Sequence, residues 1–305
     1  MREQRAELEQ INGRLKEKIL RRAPEPGSHP TAISGFHLVR RVQANELRVF
    51  YRPFIGLTVQ GFKRTIVGKD EYSYGEYHCF VTGVDMPSES YITIASDEEP
   101  FLALSLDLDR SLVAQLAAEI PSPVRMEPGA GKSVAVMEAD AKVMAAFLRL
   151  AELLDEPEEI PIMAPMLIRE IHYRLLLGPQ GAWLRTICSL GTTSNQVARA
   201  VTWLRENYKT PLQVEELAQR VGMSSSSFFR NFKQMTTLSP LQFQKTLRLY
   251  EAQRLMLAGE HDVANAAYAV GYESSTQFIR EYKRMFGEPP RRDVSRKRAV
   301  LQWHA

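Results

Sequence analysis

The chain has few of the residues that metal centres and redox sites are built from. It holds only two cysteines, Cys79 and Cys188, far apart and in no metal-binding spacing, so a reducing cytoplasm is the simplest compartment. No window is long and apolar enough to span a membrane. The opening Met1-Arg-Glu-Gln-Arg-Ala-Glu7 lacks an apolar stretch, so no signal peptide is expected. Gly129-Ala-Gly-Lys-Ser133 lacks the first glycine of a phosphate-binding loop, because position 126 is methionine.

A strong overall charge is lacking too: the net is only +3. That balance hides an asymmetry. From Asn195 to Ala305 there are 17 Lys+Arg against 10 Asp+Glu, whereas Met1 to Ser194 is net acidic. A basic C-terminal part suits a partner rich in phosphate. At 305 residues and 44% hydrophobic content, the chain fits two domains with real cores.

Two similar segments stand near the C-terminus. In the first, Val214, Leu217, Ala218 and Val221 make an apolar stripe at helical spacing, Gly222 ends the helix, and Ser224 can cap the next. Phe228 and Phe232 then face inward. In the second, Val263, Ala266, Ala267 and Val270 form the stripe, Gly271 makes the turn, and Phe278 and Tyr282 take the inward places. From glycine to the outward arginine the second unit (Gly271 to Arg280) is one residue longer than the first (Gly222 to Arg230). Helix, glycine turn and second helix form a helix-turn-helix, whose second helix enters the DNA major groove. Two units predict reading of two neighbouring sites. Between them Ser239-Pro240 opens a helix over Leu241 to Leu257, stopped at Gly259. At a rise of 1.5 Å per residue it spans roughly 26 Å, which puts the recognition helices near one DNA turn, about 34 Å, apart.

Residues 197–292 resemble the DNA-binding domain of the AraC/XylS family of bacterial transcription regulators. The resemblance is carried by Leu212-Gln-Val-Glu-Glu-Leu-Ala218, Val221-Gly-Met-Ser224, Leu238-Ser-Pro-Leu-Gln-Phe243, Leu247-Arg-Leu-Tyr-Glu-Ala-Gln-Arg-Leu-Met256, Ala269-Val-Gly-Tyr272, Phe278-Ile-Arg-Glu-Tyr-Lys-Arg-Met-Phe-Gly287 and Pro289-Pro290. It implies seven helices, two helix-turn-helix units and a long linking helix. Two positions depart from the family pattern: Asp293-Val294 stands where Tyr-Arg is usual, and Thr237 where the first unit usually has glycine. The family's groove-facing positions fall on Ser226, Phe229 and Arg230, with Ser225 and Ser227 nearby, and on Ser275, Thr276, Ile279 and Arg280, with Gln277 nearby. Arg230 and Arg280 suit guanine O6 and N7, and Phe229 a thymine methyl. Lys233, Lys283 and Arg284 suit phosphates. Arg291-Arg292 and Arg296-Lys297-Arg298 read as a solvated basic tail.

The first twenty-two residues read as a charged helix with Leu8, Ile11, Leu15 and Ile19 on one face, ended by Pro24, Pro26, Gly27 and Pro30. Alternation in Leu47–Tyr51, Leu57–Gln60, Arg64–Val67, Tyr72–Tyr74, Tyr77–Val81, Tyr91–Ala95 and Leu102–Leu108 reads as short strands of a β-barrel or sandwich. Residues 45–160 resemble the cupin-like N-terminal domain of one branch of AraC-type regulators. Val59-Gln-Gly-Phe-Lys-Arg64, Ser73-Tyr-Gly-Glu-Tyr77 and Pro100-Phe-Leu-Ala-Leu-Ser-Leu-Asp-Leu-Asp109 carry that resemblance, which implies effector sensing or dimerisation. Glu76-Tyr-His78 is the nearest approach to the ligand strand of metal-binding cupins and lacks its second histidine, so no metal or cofactor is expected. Asp107 and Asp109 read as strand-end and cap residues. His78 beside Cys79 suggests an effector or electrophile site, although neighbours on a strand point to opposite faces. Residues 138–177 read as two helices, one with Val143, Phe147, Leu150 and Leu154, the next with Leu167, Ile168, Ile171, Leu175 and Leu176. They suit either a subunit contact or a cover for the barrel.

The expected fold is thus α+β and multidomain: a cupin-like β-barrel with a helical extension, then an all-α domain with two helix-turn-helix units. The expected segments are an N-terminal helix and linker (1–30), a barrel (31–137), a helical dimerisation segment (138–177), a linker (178–195), the DNA-binding domain (196–292) and the basic tail (293–305). The expected function is a cytoplasmic, nucleoid-associated, homodimeric regulator, an activator by family tendency, that binds promoter double-stranded DNA, RNA polymerase and a small effector. The competing readings are a cupin-type enzyme fused to a DNA-binding domain, and a ligand-independent DNA-binding protein.

Overall fold

The computed structural model describes residues 2–44, 46–120 and 132–302. Gly129 to Gly131 of the glycine-rich segment lie outside them. The chain divides into two compact units, Met1–Ala198 and Arg199–Ala305.

The first unit opens with helix α1 (Arg2–Arg22). Leu15 and Ile19 are fully buried and Ile11 nearly so, at the four-residue spacing of one helix face. That face packs on the body of the unit, against the sheet strands described next. Asn12 Nδ2 donates to the Val59 carbonyl at 3.0 Å, and Arg21 holds Asp155 with bonds of 2.8 and 2.7 Å. Strands β1 (Gly27–Pro30), β2 (Phe36–Arg41), β3 (Glu46–Tyr51), β4 (Phe54–Gln60), β5 (Phe62–Val67), β6 (Asp70–Gly75), β7 (His78–Thr82), β8 (Met86–Ile94), β9 (Phe101–Asp107) and β10 (Val134–Glu138) follow. They form two antiparallel sheets, ordered β1-β2-β9-β4-β7-β10 and β3-β8-β5-β6. The cupin-like barrel is realised as these two sheets rather than as a closed cylinder.

Register and alternation assign the faces of the larger sheet. Leu38, Leu104, Leu57 and Cys79 lie side by side on one face, and each is at most 2% exposed. His37, Ser105, Gly56 and Phe80 share the opposite face. That opposite face looks at the smaller sheet, because the Phe80 ring stacks on Tyr74 at 4.9 Å and meets Tyr51 at 5.9 Å.

Helices α2 (Arg110–Glu119), α3 (Ala141–Glu152), α4 (Ile160–Leu177) and α5 (Gly181–Cys188) complete the unit. Asp109 caps α2, its carboxylate accepting from the Leu112 N–H at 2.9 Å, as expected of a strand-end aspartate. Two expected segments need correction. Residues 178–195 are not a free linker: α5 buries Leu184, Ile187 and Cys188, and the Trp183 indole donates to the Lys132 carbonyl at 2.8 Å. The Ile187 side chain lies so close to Gly83 that a Cβ there would approach it to 2.6 Å. Residues 27–30 are not linker either, since β1 pairs with β2 along its length.

Candidate nucleic-acid interface

Helix α6 (Thr193–Glu206) crosses the division between the units, and α7 (Val214–Arg220), α8 (Ser225–Thr236), α9 (Pro240–Leu257), α10 (Val263–Ala269), α11 (Ser275–Phe286) and α12 (Pro290–Gln302) follow. The repeated sequence pattern becomes a repeated structure. After α7, Gly222 N–H bonds the Gln219 carbonyl and Met223 N–H the Ala218 carbonyl. After α10, Gly271 N–H bonds Tyr268 and Tyr272 N–H bonds Ala267 in the same way. This paired closure needs a left-handed residue, and the two glycines supply it at φ 75° and 90°. At Gly271 space enforces the choice as well, because a Cβ would stand 2.4 Å from the Lys209 carbonyl oxygen.

Ser224 and Ser274 then cap α8 and α11, accepting from Ser227 N at 3.4 Å and Gln277 N at 3.3 Å. One residue separates glycine from cap in the first unit, and two, Tyr272 and Glu273, in the second, which locates the extra residue in the turn. Phe228, Phe232, Phe278 and Tyr282 are fully buried. Phe232 meets Phe243 of α9 edge-on at 5.5 Å, which anchors α8 to the long helix.

With those rings inward, the opposite faces of α8 and α11 are outward. Ser225, Ser226, Phe229, Arg230 and Lys233 are exposed, and Ser227 is half-buried beneath Asn231. On α11, Thr276, Gln277, Ile279, Arg280, Lys283 and Arg284 are exposed and Ser275 is half-buried. Two apolar members are conspicuous for their exposure, Phe229 at 47% and Ile279 at 39%. Arg230, Lys233, Arg280, Lys283 and Arg284 make no ion pair or side-chain hydrogen bond among the described residues. Elsewhere in the unit Arg248, Arg254, Arg296 and Arg298 are all tied down.

The sequence reading missed the polar ties that set the two units against one another. Arg248, in the middle of α9, donates to the carbonyls of Tyr208 (2.6 Å), Lys209 (3.0 Å), Thr210 (3.2 Å) and Gly271 (2.9 Å). Gln244, one turn earlier, donates to Tyr208 and Thr210. Their signal was a polar pair four apart on a helix otherwise read for its leucines. Glu281, on the inward side of α11, accepts from Tyr272, Lys245 and Gln277 at 2.9, 3.1 and 3.2 Å. Burial disfavours its charge, but these bonds prevail and hold its carboxyl below the ordinary range.

The basic tail is also corrected. Residues 290–302 are helical, Arg298 donates to the Leu257 and Met256 carbonyls, and Arg296 pairs with Asp293. Asp293, the departure from the family pattern, is 1% exposed and accepts from Tyr282 at 2.7 Å and Gln253 at 2.6 Å. It therefore ties α12 to α11 and α9.

In the first unit, His78 and Cys79 do not form a common site. His78 shares the inter-sheet face with Phe80, and its Nδ1 bonds the Glu76 carbonyl at 2.8 Å. Cys79 is fully buried on the opposite face, and burial pushes its thiol up to about 12, away from the thiolate that reacts with electrophiles.

Residues 32–183 match the family model of the AraC-type transcriptional regulator N-terminus, and residues 217–296 match a helix-turn-helix domain model. The chain belongs to the AraC family. Among curated AraC-family relatives, the virulence regulon transcriptional activator VirF of Yersinia enterocolitica is 22% identical over 66% of this chain and 75% of its own length. The HTH-type transcriptional regulator ArgR of Pseudomonas aeruginosa is 29% identical over 36% of this chain, which spans only 33% of ArgR. Among solved structures, ToxT from Vibrio cholerae with an unsaturated fatty acid bound has a TM-score of 0.61 at 10% identity, covering 88% of this chain and 96% of ToxT. That likeness shows a shared two-domain fold. No helix among the described residues is long and apolar enough to cross a membrane.

Proposed function

We propose that this AraC-family member is a sequence-specific transcription activator that lays α8 and α11 into successive major-groove segments of promoter DNA. The observation that carries this is the set of unpaired basic groups on the outward faces of α8 and α11, in a unit where Arg248, Arg254, Arg296 and Arg298 are engaged. Arg230 and Arg280 read guanines as bidentate forks, while Ser225, Ser226, Ser227, Ser275, Thr276 and Gln277 bond base edges or phosphates beside them. Phe229 and Ile279 meet thymine methyls. Lys233, Lys283 and Arg284 set the register on the phosphates.

The remainder of the function follows family relatives named as activators and a fold shared with a fatty-acid-bound neighbour. The N-terminal unit binds a small effector and shifts the population of DNA-competent molecules. The protein acts as a regulator rather than an enzyme, in the cytoplasm on nucleoid DNA, with RNA polymerase as its partner at the promoter. A homodimer forms through α4, where Ile162, Met166, Tyr173 and Leu177 are 69, 61, 40 and 55% exposed along one side.

The test is fluorescence anisotropy with the DNA upstream of the gene and its neighbours, against random competitor. Arg230→Ala and Arg280→Ala are each expected to weaken specific binding about 5- to 150-fold, the equivalent of about 1–3 kcal/mol. Specific binding left intact by both substitutions would overturn the assignment.

A further inference from the structure

Helices α1 and α3 pack along one another, and ion pairs of Arg14 with Glu152 and of Arg21 with Asp155 hold them together where α3 ends. Toward the start of α3 the packing opens. Ala141, Ala145 and Arg149 recur every four residues and so share one face of that helix. The two alanines leave room there that Glu7 and Leu8 of α1 and Arg174 and Leu175 of α4 line without filling. The result is a cavity of about 690 Å³, well within the size range of small-molecule sites. Its walls are three helices and the end of β10, which sets it apart from the space between the sheets. Its apolar lining is buried: Met137, Ala139, Val143 and Leu175 are each at most 6% exposed.

The charged groups of the lining are poorly matched by the protein itself. Glu7 and Glu138 have no side-chain partner among the described residues. Arg149 and Arg174 share one carboxylate, that of Glu170: Arg149 Nη2 donates to Oε2 at 2.6 Å and Arg174 Nε to Oε1 at 2.8 Å. Two guanidinium groups on one carboxylate leave a surplus positive charge, and Nη1 of each arginine has no acceptor. At the start of α3, Lys142 and the Asp140 carboxylate, which accepts from the Val143 N–H at 2.8 Å, carry opposite charges and leave no surplus. One cavity thus offers free carboxylate acceptors and free guanidinium donors, each suited to a charge-assisted bond. A simple anion would meet Glu7 and Glu138, and a simple cation would meet the arginines. A zwitterion satisfies both.

The spacing sets the length of that zwitterion. Arg149 stands eight residues beyond Ala141, about 12 Å at 1.5 Å per residue, and Glu138 precedes the helix. A single amino acid carries its ammonium and carboxylate on one carbon and is too short to join the two ends. Three residues of extended chain span roughly 10 Å. We propose that this cavity binds a short peptide with free termini, its ammonium held by Glu138 and Glu7, its carboxylate by Arg149 and Arg174, and an apolar side chain set against Val143 and Leu175.

The test uses the full-length protein without DNA, with alanyl-leucyl-alanine and trialanine as probes, read by isothermal titration and thermal shift. The controls are the N-acetylated and C-amidated forms of both peptides, and free leucine. At least one free tripeptide should bind and raise the melting temperature. Blocking either terminus should weaken binding about tenfold, and free leucine should not compete. Glu138→Gln should erase the preference for a free ammonium, and Arg149→Gln the preference for a free carboxylate, each leaving the other preference intact. Ala145→Phe, which fills the cavity, should abolish binding. If that variant fails to fold, Glu7→Gln, an exposed position, gives a second comparison and should weaken binding of the free peptide alone. Absence of binding by both tripeptides, equal binding of the blocked forms or of leucine, or undiminished binding by the variants would overturn the proposal. Because no DNA is present, such a result would leave the assignment of α8 and α11 as it stands.

Discussion

The Arg248 guanidinium donates to the carbonyl oxygen of Gly271 at 2.9 Å, while the same group holds the carbonyls of Tyr208, Lys209 and Thr210. Those three residues lead into the first helix-turn-helix, and Gly271 is the turn of the second. One side chain therefore fixes the offset between two reading heads. Arg248→Met should cost about 2–4 kcal/mol in denaturant unfolding, because several carbonyls lose charge-assisted bonds. Affinity for a two-segment operator should fall more than affinity for either half alone. Equal losses on whole and half operators would remove the spacing role.

His172 is fully buried, with Nδ1–H donating to the Ile168 carbonyl at 2.7 Å and Nε2 accepting from the Asp109 N–H at 3.1 Å. That pair of bonds needs the neutral ring, and burial pulls its pKa below the ordinary value of 6.5. Below about pH 6.5 the unfolded chain takes up the proton first, so the stability His172 contributes is full above that pH and is lost as pH falls. The slope should reach about 1.4 kcal/mol per pH unit. Urea titrations at pH 7.5 and 5.5 should show a larger acid loss for wild type than for His172→Gln, which keeps an acceptor but does not titrate.

Thr237 ends α8 at φ 65°, a left-handed conformation that a β-branched residue adopts only under strain. Its counterpart after α11 is Gly287 at φ 83°. Thr237→Gly should raise the stability of the DNA-binding unit by about 1 kcal/mol with unchanged operator affinity. A lowered melting temperature would show that the threonine side chain contributes more than its backbone costs.

Both thiols are pushed up to about 12 by burial, at 0% exposure for Cys79 and 3% for Cys188. Native protein at pH 8 should resist iodoacetamide at both positions and react only in denaturant. Cys79→Ser should lower stability by about 1–3 kcal/mol through a buried hydroxyl, and leave effector response intact. Rapid native alkylation of Cys79 would favour an electrophile-sensing role for it.

The helix-turn-helix units were legible because stripe, glycine and cap fall within a few neighbouring residues, and the same local rules act twice. The capping box Ser239–Gln242 and the stop at Gly259 belong to the same class of signal. Less was legible where partners are distant in sequence. Strand β2 ends in Arg40-Arg41 and alternates weakly, so only its pairing with β1 and β9 reveals it. Helix α2 went unread although its cap Asp109 was singled out, because only Val113 and Leu116 of its ten residues are buried. Arg248 and Asp293 act through carbonyls and hydroxyls on other helices, and no spacing rule announces such bonds.

Gly83 and Ile187 interlock so closely that even a methyl group on the glycine would meet the isoleucine at 2.6 Å. Helix α5 is thus a plug seated in the sheet unit, and its removal would open an apolar socket to water. A fragment cut at Leu177, where the helical hairpin ends, should aggregate. One that continues past Cys188, and so keeps α5 in its socket, should remain monodisperse.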